Sequence, residues 1–218
     1  MNVLFIGNSY TYCNGLPVML GDLAKARGRT VATRKVTKGG VTLKWHSRNP
    51  ETLEAIAEGG WDFVVLQDQS LAPVERPDML RGASIDLAAR IRKAGGEPVL
   101  YMTWARQHAP ETQEAITEAY SRVGAEIDAR VAPVGVAWGR SLAAHPEITL
   151  HTADRSHPTI DGSYLAACVF LATLLGETPV GLPSRFRTAE GVAASVGAEE
   201  AAMLQEIAWA SVSAPGDA

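Results

Sequence analysis

Apolar residues occur along this chain in two rhythms. The segments Val3 to Ile6, Val31 to Val36, Phe63 to Leu66, Pro98 to Thr103 and Val131 to Val136 are short and carry most of the strand formers. Between them, apolar positions return every third or fourth residue, as in Leu80, Ala83, Leu87, Ala88 and Ile91. The first rhythm predicts strands of a covered sheet, and the second predicts amphipathic helices. Helices are expected over Leu16 to Arg27, Pro50 to Glu58, Pro77 to Ala94 and Pro110 to Arg130. Gly28, Gly59-Gly60 and Gly95-Gly96 stand where the first three should end, because glycine takes the left-handed cap conformation freely. Strands alternating with helices specify βαβ units. The expected fold is therefore α/β, a three-layer α/β/α sandwich around a central parallel sheet of about five strands.

After Val136 the pattern loosens. Residues 145 to 158 read as loop, and Thr159 to Leu175 as an apolar helix. Gly176 to Arg187 reads as an irregular connection, and Ala189 to Val212 as an Ala-rich helix broken near Gly197. No internal repeat or linker divides the chain. Residues 1–213 are expected to form one domain, followed by a disordered tail at 214–218.

Composition narrows the function classes. The chain has 218 residues, 46% apolar and 20% charged, with a formal charge of -4, which suits one globular domain without structural disulfides or metal. Mild acidity argues against a nucleic-acid partner, which calls for a basic stripe. No apolar stretch is long enough to span a bilayer, so no membrane role is expected. The first strand begins with no basic leader ahead of it, and the two cysteines, Cys13 and Cys168, form no motif. A cytoplasmic home is expected on those grounds.

Ligands of open parallel sheets bind beyond the carboxyl ends of the strands. The first strand ends in Gly7-Asn8-Ser9-Tyr10-Thr11, which puts Ser9 at such a mouth. Asp154-Arg155-Ser156-His157-Pro158 offers a carboxylate and an imidazole three residues apart. Pro158 keeps that pair on a loop, since the residue before proline is pushed out of the α region. A serine becomes a nucleophile when a base takes its proton, and the base needs a partner that fixes its tautomer. Ser9, His157 and Asp154 can fill those roles. Oxyanion donors can come from two further strand ends. Lys38-Gly39-Gly40-Val41-Thr42 follows the second strand, and its glycines let backbone N–H groups approach a ligand. Gln67-Asp68-Gln69-Ser70 ends the third, and a Gln amide is a competent donor. The fourth ends in Tyr101-Met102-Thr103-Trp104. Asn8, Tyr10, Gln69, Ser70 and Trp104 are candidates for the pocket, with Asn8 chiefly bracing its own loop.

This arrangement resembles the SGNH (GDSL-like) hydrolase superfamily, through four short blocks in the right order. The resemblance is closest to a bacterial branch with Gly-Asn-Ser in the first block, Leu-Gln-x-x-Ser in the third and His-Pro after the Asp. It implies an SGNH, flavodoxin-like fold. It also implies Ser9 as nucleophile, Asp154 and His157 as its partners, and the N–H groups of Ser9 and Gly40 as oxyanion donors. No cofactor is implied. The usual Gly-x-Asn-Asp of the third block, whose Asn supplies another donor, is absent. Gln67 is its expected replacement and Gln69 the next candidate. The implied activity is hydrolysis of a small-molecule ester, with a short acyl group such as acetyl on a carbohydrate. The alternative is a non-catalytic module that binds an acylated glycan or small acid, which the altered third block favours. The order Ser, Asp, His also occurs in α/β-hydrolases, but their Gly-x-Ser-x-Gly elbow is missing here.

Plainer readings compete at several positions. His151, Asp154 and His157 could be taken for a metal set. Their spacing lacks the i, i+4 step that puts two imidazoles on one helix face, so no metal is expected. His46, His108 and His145 read as surface or supporting residues. Cys13 reads as incidental and Cys168 as core.

Overall fold

The computed structural model describes residues 1–187, 191 and 193–213. Its elements begin with β1 (Asn2–Gly7), α1 (Ser9–Tyr12), α2 (Leu16–Ala26), β2 (Ala32–Thr37), α3 (Leu43–His46), α4 (Pro50–Ala57), β3 (Phe63–Leu66), α5 (Ala72–Glu75) and α6 (Pro77–Lys93). They continue with β4 (Glu97–Tyr101), α7 (Gln113–Glu126), β5 (Arg130–Ala132), α8 (Val134–Ala144), α9 (Ile160–Leu175), β6 (Arg185–Arg187), β7 (Ala193–Ser195) and α10 (Ala198–Ser213).

Five strands form one parallel sheet in the order β2-β1-β3-β4-β5. Alternation along each strand decides which core a side chain joins. Val3, Phe5, Val65, Val99 and Tyr101 meet the apolar faces of α2, α8, α9 and α10. Leu4, Ile6, Val64, Leu66 and Leu100 meet α3, α4, α6 and α7. This is the α/β/α sandwich the periodicity calls for. Helix α9 is apolar on nearly every side because α2 and α10 pack on it as well as the sheet. The chain leaves β1 toward β2, then returns to place β3 on the other side of β1. That reversal opens a crevice beyond the end of β1, where Ser9 stands.

Several boundaries differ from expectation for physical reasons. The strand expected over Val131 to Val136 stops at Ala132. Pro133 cannot donate to a ladder, and α8 starts directly after it. Helix α8 was hidden because it is short and rich in small residues. Gly135 lets it lie close to the β4 loop: a Cβ there would meet the Thr103 carbonyl oxygen at 2.1 Å. The expected connection at 176–187 holds β6, which pairs antiparallel with β7. Within the expected C-terminal helix, Ala193–Ser195 is strand and α10 begins only after Gly197, while residues 189, 190 and 192 lie outside the described residues. The tail at 214–218 lies outside the described residues. Among the described residues no helix is long and apolar enough to cross a membrane.

Candidate active site

The turn after β1 is built around buried polar side chains. Asn8 Oδ1 accepts from Tyr10 N at 3.1 Å, and its Nδ2 donates to the Val41 carbonyl at 3.0 Å. Asn8 therefore braces its own turn and ties it to the Gly39-Gly40 loop; it is buried and does not line an open pocket. Asn14 and Gly15, both at positive φ, turn the chain into α2. Asn14 Nδ2 donates to Pro158 O, Thr159 O and Ser163 Oγ at 2.9–3.0 Å. This contact ties the Ser9 turn to the start of α9. The Asn-Gly pair was a legible turn signal, but nothing local revealed its distant partners.

The loop before α9 is closed by a bridge between His151 and Pro158, and by Thr152 N donating to His157 O. Asp154 Oδ1 accepts from Ser156 N, His157 N and Thr152 Oγ1 at 2.8–2.9 Å, while Oδ2 bonds the imidazole Nδ1 of His157. The other nitrogen, Nε2, lies 2.8 Å from Ser9 Oγ. With Nδ1–H donated to Asp154, Nε2 is free to accept the serine proton. The imidazole bond, then the backbone donors, holds the Asp154 carboxyl well below the usual carboxylate range. Ser9, His157 and Asp154 thus stand in one hydrogen-bonded line. His151 turns away from it, with Nε2 donating to the Ala105 carbonyl at 3.1 Å. No group of three His, Cys, Asp or Glu that could hold a metal occurs among the described residues.

Tyr10 and Trp104 lie beneath this line as a wall, which corrects their expected place as open pocket residues. Both are buried, and their rings stack at 4.5 Å, with Trp138 stacked beyond at 3.9 Å. Tyr10 hydroxyl bonds Ser156 Oγ at 2.6 Å, and Trp104 Nε1 donates to Ser156 O at 3.0 Å. The wall fixes the loop that carries His157.

The expected oxyanion donor Gln67 is also corrected. Its side chain is fully buried and turned under β1. Oε1 accepts from Asn8 N at 2.8 Å and Thr11 Oγ1 at 2.9 Å, and Nε2 donates to the Asp68 carbonyl. Its amide is engaged on both ends and cannot reach an oxyanion. Gly7 makes room for it, since a Cβ there would meet Gln67 Oε1 at 2.4 Å. Gln69 is half-buried. Its Oε1 accepts from Leu71 N at 2.8 Å, and its Nε2 has only a long contact of 3.5 Å to Ser70 Oγ. Gly40 is exposed at positive φ, and its N–H has no hydrogen-bond partner among the described residues.

Two buried residues support the turn from below: His46, for which surface and supporting roles were both open, and Asp68, which gave no such signal. His46 is buried, with Nε2 donating to Gly7 O at 2.9 Å and Nδ1 accepting from Thr52 Oγ1. Burial lowers its basicity, which favours the neutral ring that these two bonds use. Asp68 is fully buried, and its Oδ1 accepts from Leu43 N at 2.8 Å and Gln69 N at 2.7 Å. One carboxyl thereby joins the loops after β2 and β3. Its Oδ2 has no partner among the described residues, and burial pushes the group up to about 6.

Such a raised value makes stability fall as pH rises, because between the unfolded and folded pKa only the folded chain holds the proton. Asp68→Asn keeps an acceptor at Oδ1 and cannot ionise. Relative to wild type it should gain about 2 to 3 kcal/mol between pH 4 and pH 8. Any constant cost of seating the amide cancels in that difference. Urea unfolding of both proteins at the two pH values measures it, and a pH-independent difference would refute the raised Asp68.

Neither a family model nor a curated protein sequence matches the chain. Solved structures do. A DUF4886 family protein from Bacteroides uniformis superimposes with a TM-score of 0.79 at 19% identity, over 96% of this chain and 93% of that one. An acetyl xylan esterase from Geobacillus stearothermophilus gives 0.63 at 16% identity, over 79% and 94%. At those identities both speak for the fold alone. A protein from Slackia heliotrinireducens, described as an SGNH hydrolase, is 30% identical over 80% of this chain and 98% of that one, with a TM-score of 0.66. Identity at that level across nearly the whole of that protein, on the same sheet, means that the chain belongs to the SGNH hydrolase superfamily.

Proposed function

We propose that the protein hydrolyses carboxylic esters with a short acyl group, acetyl first among them, on a polar alcohol such as a sugar. The observation that carries this reading is the 2.8 Å contact between Ser9 Oγ and His157 Nε2, with Nδ1 of the same ring on Asp154. Ser9 Oγ attacks the ester carbonyl as Nε2 takes its proton. The carbonyl oxygen becomes an oxyanion, received by the N–H groups of Ser9 and Gly40 and the Gln69 amide. The bond to the alcohol oxygen then breaks, and His157 returns the proton to that oxygen. A water deprotonated by His157 attacks the acyl-serine, releasing the acid and restoring Ser9. Asp154 steadies the imidazolium in both halves. Each oxyanion donor lowers the barrier by on the order of 3 kcal/mol. The half-buried Gln69, with the buried Ser70 behind it rather than on an open pocket wall, gives this strand end a polar lining that favours a hydroxylated alcohol, and the acetyl xylan esterase of similar fold makes an acetylated sugar the first substrate to try.

The test is incubation with a fluorophosphonate, followed by peptide mass spectrometry. The expected result is one adduct, on Ser9, absent from Ser9→Ala and slowed in His157→Ala. A folded protein that takes no label would overturn the hydrolase reading in favour of a non-catalytic binding module.

A further inference from the structure

Arg106 stands on the loop after β4, and no ion pair accounts for it. Its side chain is half-buried, and no carboxylate of the described residues lies within 4.0 Å of it. Nη2 donates to Ser70 Oγ at 3.2 Å, while Nε is buried without a partner among the described residues. A guanidinium partly withdrawn from water, with one N–H side buried and no counter-charge, is less favourable than a solvated or paired one, so its presence calls for a reason. The rim supplies one. Ser70 lies beside the Tyr10 hydroxyl, which bonds Ser156, the neighbour of His157. Burial raises the Tyr10 phenol, and Arg106 is among the groups that pull it back down, as a nearby cation must.

The backbone around Arg106 is fixed to the loop that carries His157. Ala105 O accepts from His151 Nε2 at 3.1 Å, and Gln107 N donates to Arg155 O at 3.0 Å. Gln113 Oε1 accepts from Ala105 N at 2.7 Å. The guanidinium therefore starts from a rigid base. Along the sheet, β2 with the Gly40 loop lies on one side of β1, and β4 with the Arg106 loop lies on the other. Gly40 marks the oxyanion side. His157, which returns the proton to the departing oxygen, is bound to the Arg106 side. A group read by Arg106 thus belongs to the alcohol half of the ester.

We propose that Arg106 recognises a carboxylate on the alcohol half of the substrate, so that the natural ester is the acylated form of a hydroxy acid or acidic sugar. One guanidinium matches one carboxylate in charge, and its planar fork matches the two oxygens. This inference rests on the esterase reading above and adds the substrate class. Arg106 binds and orients; it takes no part in proton transfer.

Two acetyl esters with the same ring and leaving oxygen test it, 4-acetoxybenzoate with its carboxyl ionised and the same compound with that carboxyl masked as a neutral methyl ester. Wild type and Arg106→Ala are compared by the ratio of kcat/KM for the two, since dividing one protein's ratio by the other's cancels the intrinsic reactivity of the esters. The ratio should fall about 10- to 100-fold in Arg106→Ala, as expected for a charge-assisted pair, mainly through KM. Arg106→Lys should recover part of it. Equal losses on both esters would mean that Arg106 only supports the Ser70 loop, and the proposal would fall. An unchanged ratio would overturn it as well. If wild type cleaves neither ester and takes no fluorophosphonate label, the esterase reading fails, and this proposal with it.

Discussion

Ser9→Ala and His157→Ala are each expected to lower the turnover of a short acyl ester by about 10⁴- to 10⁶-fold, with the double variant no slower than either single one. The reason is geometric. Ser9 Oγ and His157 Nε2 are joined by one 2.8 Å hydrogen bond, and each is useful only through the other. Without the imidazole, the hydroxyl keeps its proton and is a poor nucleophile. Without the hydroxyl, the imidazole has nothing to deprotonate in the first step. Activity above the background reaction should survive in all three variants, because the backbone donors of Ser9 and Gly40 do not depend on either side chain. The Ser9 change removes a single oxygen whose one hydrogen bond among the described residues is to His157, so the fold is expected to persist. Steady-state kinetics on one ester, with thermal melts as a folding control, measures the three losses. Losses that multiply in the double variant would show two groups acting separately and would sink the coupled mechanism.

The fold was legible because each buried strand carries its own unambiguous run. Val3 to Ile6 and Phe63 to Leu66 are buried at every position, and their alternation sorts residues between two helix layers. The hydrogen-bonded line of Ser9, His157 and Asp154 was legible for a different reason. Ser9 follows a strand end, and Asp154 and His157 sit three residues apart on one loop. A local pattern was enough for each half, although the two lie 148 residues apart. Gln67 was misplaced because a sequence shows residue type and strand end but not direction. Its amide looks like a donor for a ligand, yet the space left by Gly7 draws it beneath β1. Tyr10 and Trp104 failed in the same way: aromatic residues at a strand mouth can line a pocket or floor it, and stacking with Trp138 made them a floor. Arg106 gave no sequence signal at all. Its meaning comes from lacking a counter-charge in a half-buried place, which only coordinates can show.

The hidden polar contacts have one thing in common: they cross between loops. Asn8 reaches the Gly40 loop, Gln67 joins the ends of β1 and β3, Asp68 joins the loops after β2 and β3, and Asn14 reaches the start of α9. The polar groups are engaged with backbone, and such contacts hold separate strand ends at fixed spacing. Preorganised donors stabilise developing charge because they need not move when the charge appears. On that view the buried Asn8, Gln67 and Asp68 serve rigidity at the strand ends, and Gly40, Gln69 and Arg106, left partly free, are the ones the proposed mechanism assigns to the substrate.

Asp154→Asn should keep the fold and still lose about 10⁴-fold in kcat, because it changes the tautomer of His157 and little else. Asp154 Oδ1 accepts two backbone N–H groups and the Thr152 hydroxyl, and an asparagine can offer its carbonyl oxygen to the same three. Its NH2 group then takes the place of Oδ2 and points its hydrogens at His157 Nδ1. Nδ1 must become an acceptor, which leaves the ring proton on Nε2, facing Ser9. In that form the imidazole cannot accept the serine proton, and the fluorophosphonate rate falls with the turnover. Asp154 and His157 side chains are 49% and 38% exposed, so solvent screens the pair and its removal should cost little stability. A large fall in activity with an almost unchanged melting temperature is therefore the expected signature. If Asp154→Asn kept activity within tenfold of wild type, His157 would not depend on the carboxylate for its tautomer, and Asp154 would be a loop brace alone. If instead it unfolded, the charge of the carboxylate on His157, which asparagine does not replace, would be what holds the loop, since the three bonds to Oδ1 are kept.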